Sequence, residues 1–594
     1  MVEETQSSNR TLTIVLAAGA LLLALVALAA VLIFVLGRGA DEGVTAEAAK
    51  LMPPDTWLFF SMNPDFTAAD NFDVIERAWG DVPGFDEVVD NWPAVLFEET
   101  DEVDYEADIA PWLGDELAFS IKGDLFSALG SSVDQTFAEI EGALSGETPP
   151  APPPMPEVQI VIAVATKDTA ASDEFLDKMR DEIEEDENLQ ETDYKGITVV
   201  YYEPASEGDM GAAYATVDDF IVLAAGGLET MQAVIDAKDG DNLADDETYK
   251  KVVEALPEGS LGFGYVNGGP LVEMLQDAME DTSSMGMSEL GLMGTMMDPA
   301  QASAVKGAGV ALSLDPKGIR LDSVSFYDKE ALPEAMVTTV NPNQAVQNVP
   351  ADTLAYFSSA DLGGVIEGVL DLVMAMPEME AEDLEESIEM MEAQLGIKLD
   401  DLYEALSGEY SLALTYEAGG LAGDPSMPIG LLLQFENKDE ATFKQLMSLV
   451  GMALMGQGGG MELETSTIND VSVTSAVGPN GETLVGWGLS EAFFAMGTSQ
   501  GLLEMAFEGG DSLADDATFQ AAMAPLPEET GGYFYLKVAG TLDIVYQALS
   551  SYEQEEFEEA RDVLGPIKAI SGASEPMSRE KDSASATVFI LLED

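Results

Sequence analysis

A serine three residues ahead of a lysine can carry out acyl transfer if the lysine is desolvated and neutral. Two such tetrads occur, Ser303 to Lys306 and Ser578 to Lys581. Neither is accompanied by Lys-Thr-Gly or Ser-Asp-Asn, so both read as chance spacings. Gly262-Phe263-Gly264 and Gly456 to Gly460 lack the third glycine of a dinucleotide fingerprint and the helix that should follow it. A strand bulge and a loop are expected there instead. Asp236 to Asp241 suggests a calcium loop, but Lys238 stands where an oxygen ligand belongs and Gly240 comes one place early. Weak divalent-cation screening of the many carboxylates is the expected reading.

Histidine and cysteine are both absent. That removes disulfides, thiol nucleophiles, Cys/His metal sites and every His-based proton relay. The 24 Lys+Arg face 111 Asp+Glu, a formal charge of −87. A polyanion of this size repels phosphate backbones, which excludes nucleic-acid partners. Among so many acids no pair can be singled out for acid–base work. Catalytic, cofactor-binding and metal-ligating residues are therefore assigned to none, and no cofactor is expected.

Methionine is in surplus, with 29 residues. Met285, Met287, Met293, Met296 and Met297 form one cluster, and Met374, Met376, Met379, Met390 and Met391 another. Ordinary core or helix-face packing is the first reading. An adaptable apolar surface is the second, and soft ligands for Cu(I) the third.

The segments that must position any such residues begin with Thr11 to Gly37, which carries no charge and is mostly Leu, Ala, Val and Ile. A helix needs about 20 apolar residues to span a bilayer, so this run is predicted to be a transmembrane anchor through the lipid bilayer. It is too long for the apolar region of a cleaved signal peptide. Arg10 and Arg38 bracket it evenly, so flanking charge does not set orientation. The general habit of N-terminal anchors puts residues 1–10 in the cytoplasm and the bulk of the chain outside.

Beyond a linker at 38–50 the chain repeats itself. Asp241-Asn242-Leu243-Ala244-Asp245-Asp246-Glu247-Thr248-Tyr249 returns 270 residues later as Asp511-Ser512-Leu513-Ala514-Asp515-Asp516-Ala517-Thr518-Phe519. Leu256-Pro257-Glu258 returns as Leu526-Pro527-Glu528 at the same shift. Pro53-Pro54-Asp55-Thr56 to Ser61 matches Pro350-Ala351-Asp352-Thr353 to Ser358 at a shift of 297. The drift places about 27 extra residues in the first half, near the Pro-rich loop 148–156. Two tandem homologous domains are expected, 51–330 and 347–594, joined by a linker at 331–346.

Within each half, Val158 to Val164 and Ile429 to Phe435 are continuous apolar runs, as in buried strands. Each precedes a helix with one apolar face, Phe175, Leu176, Met179 and Ile183 in the first half and Phe443, Leu446, Met447 and Val450 in the second. Ile197 to Tyr202 and Phe220 to Ala224 are further strands. Val305 to Leu314 and Gly318 to Tyr327 make a hairpin about Asp315-Pro316-Lys317-Gly318, and Thr587 to Leu592 closes the second half. Asp245 or Asp246, and Asp515 or Asp516, sit where a helix N-cap belongs. The fold class is α+β: in each domain an antiparallel or mixed sheet with helices packed on one face.

The Pro-Pro-Asp-Thr opening at 53–56, Pro-Trp-Leu-Gly-Asp-Glu at 111–116, and the Leu-Ala-Asp-Asp to Leu-Pro elements at 243–257 and 513–527 resemble the bacterial domain-of-unknown-function family 3352. The second half departs at Leu406-Ser407-Gly408-Glu409, which lacks the Trp. The resemblance implies an exported or anchored bacterial protein with no assigned reaction, and it supplies no catalytic residues. The expected function is a non-enzymatic, membrane-anchored, extracytoplasmic binding or scaffold protein with a protein or apolar ligand as partner. A lipid carrier is the second expectation and a hydrolase independent of His and Cys the third.

Overall fold

The computed structural model describes residues 46–64, 70–85, 89, 105–123, 158–183, 189–202, 211–257, 259–269, 304–332, 336–375, 381–421, 427–456, 462–478, 481–549 and 551–592. The expected anchor at 11–37 and the Pro-rich loop at 148–156 lie outside them. No helix among the described residues is long and apolar enough to cross a membrane.

The chain divides into two compact units. The first is drawn from residues up to Glu76, Pro83–Pro316 and Leu321–Asp328, and the second from Arg77–Val82, Lys317–Arg320 and Lys329 onward.

The strands of the first unit are β1 (Leu58–Met62), β2 (Leu113–Lys122), β3 (Gln159–Thr166), β4 (Leu189–Tyr194), β5 (Ile197–Tyr202), β6 (Ala212–Val217), β7 (Phe220–Ala225), β8 (Gly262–Asn267) and β9 (Val305–Asp315). They pair in the order β4-β5-β6-β7-β3-β2-β1-β8-β9, each pair antiparallel. The strand β10 (Gly318–Tyr327) pairs with β9 across the expected turn.

The second unit contains β11 (Thr353–Ala360), β12 (Glu409–Tyr416), β13 (Ile429–Glu436), β14 (Glu462–Ile468), β15 (Val471–Val477), β16 (Thr483–Leu489), β17 (Phe493–Gly497), β18 (Gly532–Lys537), β19 (Ile567–Ser574) and β20 (Ser583–Leu592). Their order is β14-β15-β16-β17-β13-β12-β11-β18-β19-β20, again antiparallel throughout. Ten added to each strand number of the first sheet gives the order of the second.

Turn chemistry repeats with the order. The hairpin β4–β5 turns on Lys195 and Gly196 at φ 52° and 86°, and β14–β15 turns on Asn469 and Asp470 at φ 44° and 66°. Two successive positive φ values match the right-handed twist of the flanking strands, the reason such turns close two-residue hairpins.

The helices are α1 (Asp73–Trp79), α2 (Thr169–Ile183), α3 (Gly227–Asp239), α4 (Glu247–Ala255), α5 (Leu362–Ala375), α6 (Ala381–Leu395), α7 (Leu399–Ala405), α8 (Glu440–Gly456), α9 (Gln500–Glu508), α10 (Ala517–Met523), α11 (Val538–Ala548) and α12 (Ser551–Leu564). In the first unit, Met231, Val234 and Ile235 of α3 and Tyr249 and Val252 of α4 share a core with Val161, Ala163 and Ala165 of β3. Phe175 and Leu176 of α2 share a different core with Ile162 and Val164 of the same strand. Successive strand residues point to opposite faces, so these cores lie on opposite sides of the sheet.

The second unit does the same. α9 and α10 join Leu432 of β13, while Phe443 of α8 joins Phe435 of that strand. Helices on both faces, not one, correct the expectation. The continuous apolar runs of β3 and β13 need cover on both sides, as doubly buried strands do.

Candidate functional site

The repeated Leu-Ala-Asp-Asp element ends in an N-cap. Asp246 accepts a hydrogen bond from Tyr249 N at 2.8 Å, and Asp516 accepts one from Phe519 N at 2.8 Å. These short carboxylates satisfy amides that have no partner inside the helix. The cap fixes the helix so that its first aromatic enters the inner core. Tyr249 meets Tyr265 edge-on at 5.1 Å, and Phe519 meets Tyr535 edge-on at 5.1 Å.

A buried carboxylate sits beside this aromatic cluster in each unit. Glu116, at 2% exposure, is in β2. It accepts Ser61 Oγ from β1 at 2.8 Å and Ala48 N at 3.2 and 3.3 Å. Ala48 belongs to the 3-10 turn Glu47–Leu51, which leads into β1. Glu409, at 5% exposure, begins β12. It accepts Ser358 Oγ at 3.2 Å, Gln344 N at 2.9 Å and Ala345 N at 3.1 Å. Asn341 Nδ2 donates in turn to Ser358 Oγ at 2.9 Å. Ala48 and Ser61 lie 297 residues before Ala345 and Ser358, the shift of the opening motif itself.

Burial pushes both carboxyls above their ordinary pKa, although Ser61 and the Ala48 amide pull Glu116 down and the Ala345 and Gln344 amides pull Glu409 down. A buried carboxyl with a raised pKa is a recognised mark of a general acid. Here every oxygen is taken up by the protein's own backbone and serine hydroxyls, so the pair holds structure together. Sequence reasoning missed both residues. The available signal was phase: Glu116 alternates with Ala118 and Ser120 on the inner side of β2, while Leu117, Phe119 and Ile121 take the outer side.

The outer faces carry a second repeated feature. One line of cross-strand neighbours in the first unit runs Phe60, Phe119, Ile162, Leu223, Tyr214 across β1-β2-β3-β7-β6. The same line in the second unit runs Phe357, Leu412, Leu433, Met496, Trp487 across β11-β12-β13-β17-β16. Leu223, Phe357 and Leu412 are exposed at 41%, 43% and 44%. In the first unit the line opens into a groove of about 310 Å³ whose walls include Ile160, Ile162, Leu223, Tyr214, Tyr202 and Leu189. In the second unit Trp487 is 2% exposed and packs with Phe443, Leu446, Met447 and Val450 of α8.

The residues singled out in the sequence do not assemble. Lys581 pairs with Glu575 at 3.6 Å, and Ser578 Oγ accepts the Glu580 and Lys581 amides at 3.4 Å, which is turn geometry. Lys306 pairs with Asp328 at 3.7 Å, and Ser303 lies outside the described residues. Asp236 receives Tyr194 Oη at 3.0 Å and Lys195 Nζ at 2.7 Å, and Lys238 pairs with Asp218. Among the described residues no three acids gather closely enough to hold a metal ion. Gly262 and Gly264 lie within β8, and residues 457–460 are outside the description. Met390 is exposed at 62% on α6. The cluster from Met285 to Met297, with Met376 and Met379, lies outside the described residues.

No curated protein matches the chain. Among solved structures, crystal form IV of TP0453 is 9% identical, with 48% of this chain and 81% of that chain covered at a TM-score of 0.22. Crystal form III of TP0453 is 10% identical, with 51% and 89% covered at a TM-score of 0.21. Scores of that size do not establish a common fold. The family model described as "Protein of unknown function (DUF3352)" matches residues 15–592, nearly the whole length, and the chain belongs to that family.

Proposed function

We propose that this chain is a single-pass, membrane-tethered, extracytoplasmic binding protein without enzymatic activity, built from two tandem homologous domains, and that its first domain takes an apolar ligand such as a lipid acyl chain. The observation that carries this reading is the apolar line across the outer face of each sheet, covered by α8 over Trp487 in the second unit and open as a groove at Leu223 and Tyr214 in the first. An exposed apolar strip of this kind marks a surface for apolar ligands or partners. The identical strand orders support a duplication in which α8 fills the step at Trp487, while the matching step at Tyr214 lines a groove although α2 packs on the same face at Ile162 and Val164. The uncharged run at 11–37 supports the tether, and the charge of −87 supports a body that does not adhere to an anionic bilayer.

The test is native mass spectrometry and lipid extraction on residues 46–594 purified without detergent, followed by titration with a fluorescent fatty acid. Co-purified lipid or saturable uptake, reduced at least tenfold by Leu223→Glu, is the expected result. A clean apo mass with no uptake overturns the carrier reading.

A further inference from the structure

Glu116 and Glu409 are buried carboxylates that no functional reading uses, and they hold equivalent places in the two units. Each joins three pieces of chain: the segment leading into its unit, the first strand, and the second strand. Each is met by neutral donors alone. The groups that act on Glu116 are Ser61, the Ala48 and Glu47 amides, and Asp115 on its own strand, an acid that opposes ionisation. Tyr249 of α4 faces it and is itself raised by burial and then by the Glu116 charge. On the lead-in turn, Glu47 and Lys50 pair with each other at the surface.

Around Glu409 stand Ser358, the Ala345 and Gln344 amides, and Glu436 of β13, another acid. Glu436 accepts the Glu409 amide at 3.2 Å and pairs with Lys438 at 2.8 Å, so that lysine is already committed. Tyr356 of β11 and Tyr533 of β18 complete the surroundings, both raised by burial first and by the Glu409 charge among lesser causes.

A carboxylate taken out of water without a cation is costly, and neutral donors offset only part of that cost. Protonation removes the charge; the new O–H can be accepted by Ser61 or Ser358 once that hydroxyl turns, while the backbone amides go on donating. We propose that Glu116 and Glu409 are proton-operated clasps that hold the segments leading into the two units, Glu47–Leu51 and Gln344–Asn348, tightly when protonated and loosely when ionised. Local opening returns the carboxylate to water, where ionisation costs nothing extra, so opening becomes easier as pH rises. The first clasp holds the turn Glu47–Leu51, which follows the expected linker in sequence, so proton concentration outside the cell would govern how firmly the chain is held at that turn. That consequence alone rests on the tethered reading; the clasp itself does not.

Hydrogen exchange of the full-length chain, followed by mass spectrometry from pH 5 to pH 8 and corrected for intrinsic exchange rates, tests the idea. Protection of peptides covering 46–57 and 339–352 should fall about tenfold for each unit by which the clasp pKa exceeds its solvated value, while a reference peptide in β13 stays constant. Glu116→Gln should flatten the profile of the first segment and leave the second falling, and Glu409→Gln should do the reverse. Ser61→Ala removes the hydroxyl partner of both forms and should displace the first profile along the pH axis without flattening it. Protection that is constant or rises with pH in the wild-type chain overturns the proposal, whatever the variants do. So does a falling profile that Glu116→Gln and Ser61→Ala both leave unchanged.

Discussion

Tyr214 and Trp487 hold the same step in their sheets, Tyr214 opposite Leu223 and Trp487 opposite Met496, and they meet different surroundings. Trp487 is sealed by α8, whereas Tyr214 lines the groove. Substitution should therefore separate stability from binding. Trp487→Ala should cost about 3–5 kcal/mol, as large-to-small changes of buried aromatics do. Leu223→Ala, at a side chain exposed at 41%, should cost about 0.5–1 kcal/mol, yet it should weaken uptake of an apolar probe severalfold. Urea denaturation beside a fluorescent fatty-acid titration reads both. Equal stability losses at the two positions would remove the contrast between a filled step at Trp487 and an open one beside Tyr214.

The two N-caps invite a paired measurement. Asp246→Ala and Asp516→Ala should each lower stability by about 1 kcal/mol, because each strips a helix amide of its acceptor. Asparagine caps nearly as well, so Asp246→Asn should recover most of the loss. Asp516→Asn should recover less, since Asp516 also pairs with Lys537 at 3.5 Å. Chemical denaturation of the four variants checks the order; full recovery by Asp516→Asn would show that the lysine contributes nothing.

What the sequence made legible, and what it hid, follows from the range of each interaction. The caps, the β9–β10 turn and the strands from Val158, Ile197, Phe220 and Ile429 all rest on local chemistry, and the structure places them within a residue or two of expectation. The cap lies on Asp246 and Asp516 rather than on Asp245 and Asp515, since the latter belong to 3-10 turns that precede the helices. Glu116 and Glu409 close the segments 111–116 and 406–409 that the family resemblance picks out, but their role was hidden because one buried acid among 111 has no compositional mark. Their role depends on Ala48 and Gln344, which are far off in sequence and near only once the sheet forms. The apolar lines were hidden for the same reason. Phe60, Phe119, Ile162 and Leu223 are neighbours through register, and register is a tertiary property. The second helical layer was within reach, since an unbroken apolar run already implies two buried faces.

Stability should depend on pH with opposing contributions. The folded pKa values of Glu116 and Glu409 are raised by burial, so their contribution is fully present below the ordinary value of 4.5 and is lost as pH rises through the raised values. The pKa of Asp439, which accepts Thr442 Oγ1 at 2.6 Å and the Ala441 amide at 2.9 Å, is lowered by those bonds. Its contribution is present above the ordinary 3.8 and is lost as pH falls through the lowered value. Between pH 4.5 and 7 the wild-type chain should lose stability, and Glu116→Gln with Glu409→Gln should lose less over the same window. Denaturant midpoints at half-unit steps decide this. Parallel curves for wild type and the double variant would show that the two carboxyls titrate alike in the folded and unfolded chain.

The tether can be tested from its physics. Thr11 to Gly37 holds no charge over a length that spans a bilayer, while the chain beyond it carries 109 acids against 23 bases. Such a body gains nothing from an anionic surface, so attachment should depend on the apolar run alone. The full-length protein should stay in the membrane fraction through high-salt and carbonate washes, and removal of residues 1–45 should release it completely. A truncated chain that still sediments with membranes would point to the outer apolar lines as a second attachment. Protease added to intact cells should degrade the large body in the full-length protein. Protection of that body, with a known exported protein cut in the same sample, would place the charged bulk on the inner side and reverse the proposed orientation.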